Sequence, residues 1–345
     1  MKIVKIRKKA IGAGFPVYVI AEIGGNFSSY EAGVKLINSA IEAGADAVKI
    51  QTFTAKNTVS KYATLDMPVV HGKKNQLQVL RSLELDRKIQ KKLFDYCKRK
   101  NITIFSSPSH RSDVDFLEEN NVCAYKLGSD DFTNHPLIKY VAELKKPTIL
   151  STGMSSMKEV REAIKTFYAT GNNELILLHC VSMYPFEPKF ANLRAIQSMQ
   201  KLFNIPIGWS DHTNGIDICI AAATLGANVI EKHYMLSKKT AGPDHMLSAN
   251  PKQLSDMIKT IRTIEQAKGD GVKKPAACEK PIIKDVRKSI VAARPIPKGA
   301  KITIDMLEIK RPGIGIPPKF LSRILRKRVV RNIKADETIR FADIK

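Results

Sequence analysis

The chain has 345 residues, 43% of them hydrophobic, and a formal net charge of +24. That length suits one large domain plus a small one, and no apolar window reaches the roughly 18 residues a membrane span needs. The five cysteines are few, odd in number and without Cys-x-x-Cys spacing, which points to free thiols in a reduced, cytoplasmic setting.

The opening stretch, MKIVKIRKKAIGAGFPVYVIAEIGG, is basic and then apolar. It has no small-residue cleavage pattern, and its apolar run ends in Glu22, so it reads as a first strand and not a signal peptide. Short apolar, β-branched runs then recur at 17–24, 45–53, 102–108, 124–129, 147–153, 175–182, 206–212 and 228–234. Helical periodicity fills the gaps. YEAGVKLINSAIEAG has Val34, Leu36, Ile37 and Ile41 on one face and ends in Gly44; DRKIQKKLFDYCKRKN and SSMKEVREAIKTFYATG behave alike, with Gly171 as a stop signal. Continuous apolar strands alternating with helices imply a parallel sheet covered on its outer side. Eight such units predict an α/β fold, a (β/α)8 TIM barrel. A doubly wound sheet is the alternative, but EIGGNFSS is a poor phosphate loop.

The pattern breaks in AKGDGVKKPAACEKP, rich in Gly, Lys and Pro. The expected organisation is a barrel over 1–267, a linker over 268–283 and a small β-rich domain over 284–345. Residues 271–345 hold 20 Lys and Arg against 7 Asp and Glu, more than half the charge excess. A non-catalytic nucleic-acid-binding protein is therefore the rival from a different class. Against it, no zinc-finger or RNA-recognition signature is present, and RILRKRVVRNIK alternates charged with apolar residues as a folded surface does. A field that draws in an anionic substrate explains the excess equally well.

In such a barrel the active site lies at the C-terminal strand ends. There the sequence places Glu22 and Asn26; Lys49, Gln51 and Thr52; Ser106 and Ser107; Lys126, Ser129, Asp130 and Asp131; Ser151 and Thr152; His179, Ser182 and Tyr184; Ser210, Asp211 and His212; and Glu231, Lys232 and His233. Every strand is expected to deliver polar groups to one rim. His212 and His233 end neighbouring strands about 4.8 Å apart, a placement that suits a catalytic divalent metal; two hydrogen-bonded structural histidines are the alternative. Lys49 and Lys126, with Ser107, Ser129, Ser151 and Ser210, make a rim able to hold a phosphate and a carboxylate together, as in phosphoenolpyruvate or another small phosphorylated acid. Structural salt bridges are the plainer reading of the lysines. Glu22, Asp131 and Asp244 are candidates for acid/base work or for binding sugar hydroxyls.

In order, AEIGGN, GADAVKIQTF, YKLGSDD, LSTGMS, LLHCVSMYP, GWSDHT, IEKHYM and GPDH resemble the sialic acid synthase family. The tail, KSIVAARPIPKGAKIT through IKRPGIGIPP, resembles that family's C-terminal antifreeze-like (SAF, β-clip) domain. The resemblance covers nearly the whole chain. It implies condensation of phosphoenolpyruvate with an N-acyl hexosamine such as N-acetylmannosamine, giving N-acetylneuraminate or a related nonulosonate. N-acetylmannosamine 6-phosphate or a legionaminate- or pseudaminate-type precursor are the alternative acceptors. It implies that His212 and His233 bind manganese (magnesium or cobalt being alternatives) and that Lys49, Ser107, Lys126, Ser129, Ser151 and Ser210 hold phosphoenolpyruvate. Glu22, Gln51 and Asp131 would be catalytic; Tyr184, Ser182, Asp244 and Arg311 would contact the sugar. Arg311 would enter the partner's barrel in a domain-swapped homodimer. The chain departs from the family pattern at Phe27, Ser28 and Ser29, where His-Asn-Gly is usual, at Asp131, where a glutamate stands, and at Ser182, where some members carry Asn.

Overall fold

The computed structural model describes residues 2–25, 27–65, 74–237 and 244–345; Asn26, expected at the end of the first barrel strand, lies outside them. The chain divides into two compact units, Met1–Gly269 and Asp270–Lys345. The first is a closed parallel barrel of β3 (Tyr18–Glu22), β4 (Ala47–Thr52), β7 (Thr103–Pro108), β8 (Tyr125–Leu127), β9 (Thr148–Ser151), β10 (Leu175–Cys180), β11 (Ile207–Asp211) and β12 (Val229–His233), in that order around the ring. All eight lie within the runs expected from sequence.

Helices α1 (Tyr30–Ala43), α4 (Arg87–Lys100), α5 (Arg111–Glu119), α6 (His135–Glu143), α7 (Met157–Ala169), α8 (Arg194–Phe203), α9 (Asp217–Thr224) and α10 (Pro251–Ala267) follow the strands. Their ends are written locally. Ser29 caps α1 through Ala32 N, and Gly44 closes it with a left-handed φ of 92°. Ser156 and Glu159 form a reciprocal capping box on α7. Between β4 and α4 runs an excursion: the single turn α2 (Ala55–Thr58), the short pair β5 (Thr64–Leu65) and β6 (Lys74–Asn75), and α3 (Gln76–Leu83).

The pleat divides each strand between two environments. Val19, Ala21, Val48, Ile50, Leu150, Leu177, Trp209 and Ile230 point outward and pack under the helices. Tyr18, Ile20, Ala47, Phe105, Ile149, Ile176, Leu178 and Val229 point inward and fill the barrel's lower interior. The N-terminal stretch corrects the sequence reading. It holds three strands and not one, because β1 (Val4–Ile6) and β2 (Lys9–Ile11) form an antiparallel hairpin ahead of β3. Val4, Ile6 and Ile11 join the interior cluster, so the hairpin buries apolar surface that the barrel floor would otherwise expose to water.

The second unit has its own core of Ile290, Ile296, Ile302, Ile316, Val329, Ile333 and Ile339. It is built on antiparallel β13 (Ser289–Ala292) and β14 (Leu307–Lys310), with single turns α11 (Ile283–Val286) and α12 (Leu321–Ile324). Gly315 lies against Ile339: a Cβ there would fall 2.6 Å from the Ile339 carbonyl oxygen. The segment expected as a linker is exposed over 268–282, and from Asp270 onward it is part of this unit. Among the described residues no helix is long and apolar enough to cross a membrane.

Candidate active site

Continuing each inward-facing row toward the C-terminal strand ends replaces apolar side chains by ionisable ones. Two residues beyond Ile20 comes Glu22; beyond Ala47, Lys49; beyond Phe105, Ser107. Two beyond Ile149 comes Ser151; two beyond Val229, Glu231. These groups converge. Lys49 Nζ lies 2.5 Å from Glu22 Oε2, 3.6 Å from Glu231 Oε1 and 3.2 Å from Ser107 Oγ. Lys126 Nζ donates to Ser151 Oγ at 2.6 Å and sits 3.7 Å from Glu231 Oε1, which accepts from Ser210 Oγ at 3.1 Å.

Glu231 stands between the two lysines, a place sequence reasoning did not assign it. The signal was present: Glu231 is two residues before His233 in one strand and so shares its face. Burial pushes its carboxyl up, but Lys126 and Lys49 outweigh that and hold it down to about 2. Its second oxygen, Oε2, is buried without a hydrogen-bond partner among the described residues. For Lys49, burial favours the neutral amine, but Glu22 and Glu231 reverse this and raise its pKa. For Lys126 burial prevails, reinforced by the Lys49 charge, and its pKa falls. A buried ammonium with depressed pKa gains from an incoming anion.

The histidines meet as expected. His212 and His233 have ring centroids 5.4 Å apart. His212 Nδ1 bonds the Val181 carbonyl at 2.7 Å, which assigns the proton to Nδ1 and leaves the Nε2 lone pair free. Burial and the neighbouring His233 pull His212 down to about 3, so it is neutral. His233 Nδ1 faces Asp244 Oδ2 at 3.3 Å. Tyr184 stacks on His212 with centroids 4.0 Å apart. Two buried imidazoles, at least one neutral with Nε2 unused, are a donor set that fits a borderline divalent ion. Among the described residues no group of three or more His, Cys, Asp or Glu is arranged to hold a metal.

Gly24 and Gly153 are required by close approach. Gly24 N–H donates to Glu22 Oε1 at 2.7 Å, and a Cβ on Gly24 would lie 2.3 Å from that oxygen. A Cβ on Gly153 would come within 2.2 Å of Ser182 Oγ and 2.7 Å of Ser129 Oγ. Gly153 N–H donates to Ser129 Oγ at 3.0 Å.

One cavity of about 460 Å³ collects Lys49, Gln51, Ser107, Lys126, Ser129, Asp131, Ser151, Ser182, Tyr184, Ser210, His212, His233 and Asp244. Glu22 lies behind Lys49, fully buried. Asp131 accepts from Asn134 Nδ2 at 2.9 Å, and burial, with the Asp130 charge, lifts it to about 6. Arg311 belongs to the second unit, where it is exposed.

Most of the polar strand-end residues named from sequence share this rim, but Thr52, Ser106, Thr152, His179, Asp211 and Lys232 do not line the cavity, since the pleat sends alternate residues outward. Lys232 Nζ pairs with Asp211 Oδ2 at 2.5 Å and Thr213 O at 2.6 Å, and Trp209 Nε1 donates to Asp211 Oδ1 at 3.0 Å, all beneath the helices. Thr52 bonds Gln90 at 2.6 Å and Ser106 at 2.5 Å. His179 packs against Trp209 and bonds Ala191 O at 3.0 Å. Sequence reasoning also missed an apolar wall on the cavity, described below.

Comparison with known proteins agrees with this geometry. Residues 36–273 match the NeuB family, and residues 287–345 match the SAF domain. The N,N'-diacetyllegionaminic acid synthase of Campylobacter jejuni is 40% identical, covering 93% of this chain and 98% of its own. The human N-acetylneuraminate-9-phosphate synthase is 34% identical over 95% of this chain and 93% of its own. Among solved structures, the N-acetylneuraminic acid synthetase of Leptospira borgpetersenii superposes with a TM-score of 0.75 at 31% identity, covering 82% of this chain and 95% of the other.

Proposed function

The chain belongs to the NeuB family, and on that premise we propose that it condenses phosphoenolpyruvate with an N-acylated hexosamine and water, giving a nonulosonate and phosphate. The observation that carries this reading is the buried pair Lys49 and Lys126, bridged by Glu231 and flanked by Ser107, Ser151 and Ser210, in one cavity with two facing imidazoles. Two ammonium groups and several hydroxyls on a rigid strand-end platform match the two anionic groups of phosphoenolpyruvate.

Carbon 3 of the enol adds to the open-chain aldehyde carbon. Water adds at carbon 2, and the carbon–oxygen bond to phosphate breaks. The lysines hold the phosphate and carboxylate in place throughout, where preorganised charge in a water-poor site is most effective. Glu22 is committed to Gly24 N–H, Gln51 and Lys49. Asp131, lifted to about 6, exchanges protons near neutrality and is therefore assigned the proton lost by the attacking water. Nε2 of His212 and of His233 would hold a divalent ion, manganese in this proposal, which when bound polarises the acceptor carbonyl oxygen. Arg311, within the residues that match the SAF domain, is assigned to the N-acyl group of an acceptor bound in a second copy of the chain, with a homodimer as the working form.

The test is phosphate release from phosphoenolpyruvate with manganese and N-acetylated hexosamines, against sugar-free and chelated controls. Release that requires both sugar and metal, and that vanishes in His233→Ala, is expected. Release indifferent to sugar, or to chelation, would overturn the reading.

A further inference from the structure

We infer that the acceptor is an uncharged hexose with an apolar, deoxygenated and acylated outer end, and not a sugar phosphate. This rests on the reaction proposed above and names the chemical class of its second substrate. The first observation is the distribution of charge. Among the described lining residues the cations are Lys49 and Lys126, both on the strand ends. Both are already opposed by Glu22 or Glu231, and phosphoenolpyruvate takes up both. The remaining charged lining is acidic: Asp130, Asp131 and Asp244.

With Glu231 counted, four carboxylates face two ammonium groups among the described lining residues. An Arg311 brought by a second copy leaves the carboxylates in excess, and the charge a divalent ion adds is exceeded by that of phosphoenolpyruvate. A phosphate on the acceptor would thus meet like charge. At about 4 Å each such contact costs on the order of 4 kcal/mol at an effective dielectric near 20. The chain's net charge of +24 points the other way, but a global field governs encounter, and the groups lining the cavity govern what fits.

The second observation is the wall. The excursion between β4 and α4 brings Phe53, Leu65, Val79, Leu80 and Leu83 onto the cavity, and Met154 joins them from the loop after β9. On α3, Gln76, Val79, Leu80 and Leu83 recur at helical spacing, so one face of the helix is turned to the cavity. Nothing in phosphoenolpyruvate, which is small and anionic, matches this surface. A sugar hydroxyl pressed against it would lose water and gain no partner, at about 1–3 kcal/mol. A methyl group there gains about 0.8 kcal/mol per buried carbon. Gln76 is the polar group on that face, suited to an acylamino N–H or carbonyl.

The experiment compares three acceptors with phosphoenolpyruvate and manganese: N-acetylmannosamine, its 6-phosphate, and 2,4-diacetamido-2,4,6-trideoxymannose. The expected kcat/KM is highest for the trideoxy sugar, about tenfold or more above N-acetylmannosamine, and lowest for the 6-phosphate. A 6-phosphate that matches or exceeds the neutral sugars overturns the inference, as does equal use of the two neutral ones. Absence of turnover with all three overturns the proposed reaction instead. Calorimetric affinities of the three sugars for the phosphoenolpyruvate-loaded protein then decide the acceptor class by the same ranking. Leu80→Ser should bring the ratio between the two neutral sugars toward unity at unchanged KM for phosphoenolpyruvate; an equal loss for both overturns the role given to the wall.

Discussion

The lower and upper halves of the barrel interior are lined by the same strands and differ in almost every other respect. Below, Tyr18, Ile20, Phe105, Ile149, Leu178 and Val229 pack with the N-terminal hairpin into a closed apolar plug. Above, two residues further along the strands, Glu22, Lys49, Ser107, Ser151, Cys180 and Glu231 form a polar layer open to a cavity. The apolar layers gain stability from burial. In the charged layer, ion pairs outweigh desolvation for Glu231 and Lys49 but not for Lys126, whose pKa stays depressed. One half holds the ring shut so that the other can keep costly groups in fixed positions.

The sharpest way to break this division is Phe105→Ala. Phe105 is fully buried in the plug, and its loss should cost about 3–5 kcal/mol in denaturant unfolding, while the protein that remains folded keeps its turnover. A loss of turnover in the folded fraction would mean the plug also shapes the site.

The converse change is Lys126→Met. Sugar-dependent phosphate release should fall by about 10²–10³-fold, roughly 3–4 kcal/mol at the transition state. The denaturation midpoint should not fall, because the folded state already disfavours the Lys126 charge. A lower midpoint would place Lys126 among the stabilising groups.

Asp131 sharpens the comparison through pH. Its carboxyl rises from 3.8 to about 6 on folding, through burial and the Asp130 charge. Between those values the folded state holds a proton the unfolded state has released, so the contribution of Asp131 to stability is fully present below about 4 and is lost as pH rises through about 6. The decline is on the order of 3 kcal/mol. Asp131→Asn should flatten that slope when unfolding is followed from pH 4.5 to 6.5; an unchanged slope would assign it to another group. The smallest effect is expected outside both halves. Ser156→Ala removes the α7 cap, which should cost about 1 kcal/mol and leave phosphate release unchanged.

Much of this was legible before any coordinates. The helix stops at Gly44 and Gly171 follow from capping chemistry that acts within a few residues, whereas the caps at Ser29 and Ser156 were recognised only in the fold. The histidine pair was legible too, because parallel strands in sequence order become neighbours and both residues stand at the end of a strand run. The over-generous rim was a misreading of local information: Asp211 and Lys232 alternate with Ser210, His212, Glu231 and His233, and period 2 alone places them on the other face. The hairpin ahead of β3 was missed because Lys5, Arg7, Lys8 and Lys9 mask the apolar alternation of Val4, Ile6 and Ile11.

The sequence alone revealed the eight barrel strands, several of the helices between them, and which chemical groups stand at the strand ends. These are set by periodicities of two and 3.6 residues and by caps, all interactions of short range along the chain. It took the folded chain to show that Glu231 lies between Lys49 and Lys126, that carboxylates outnumber cations among the described residues lining the cavity, and that α3 turns an apolar face to it. Those facts depend on how far barrel closure and the β4–α4 excursion carry residues distant in sequence toward one point. Charge pairing and burial fall off over a few ångströms of space, a distance to which separation along the chain gives no measure.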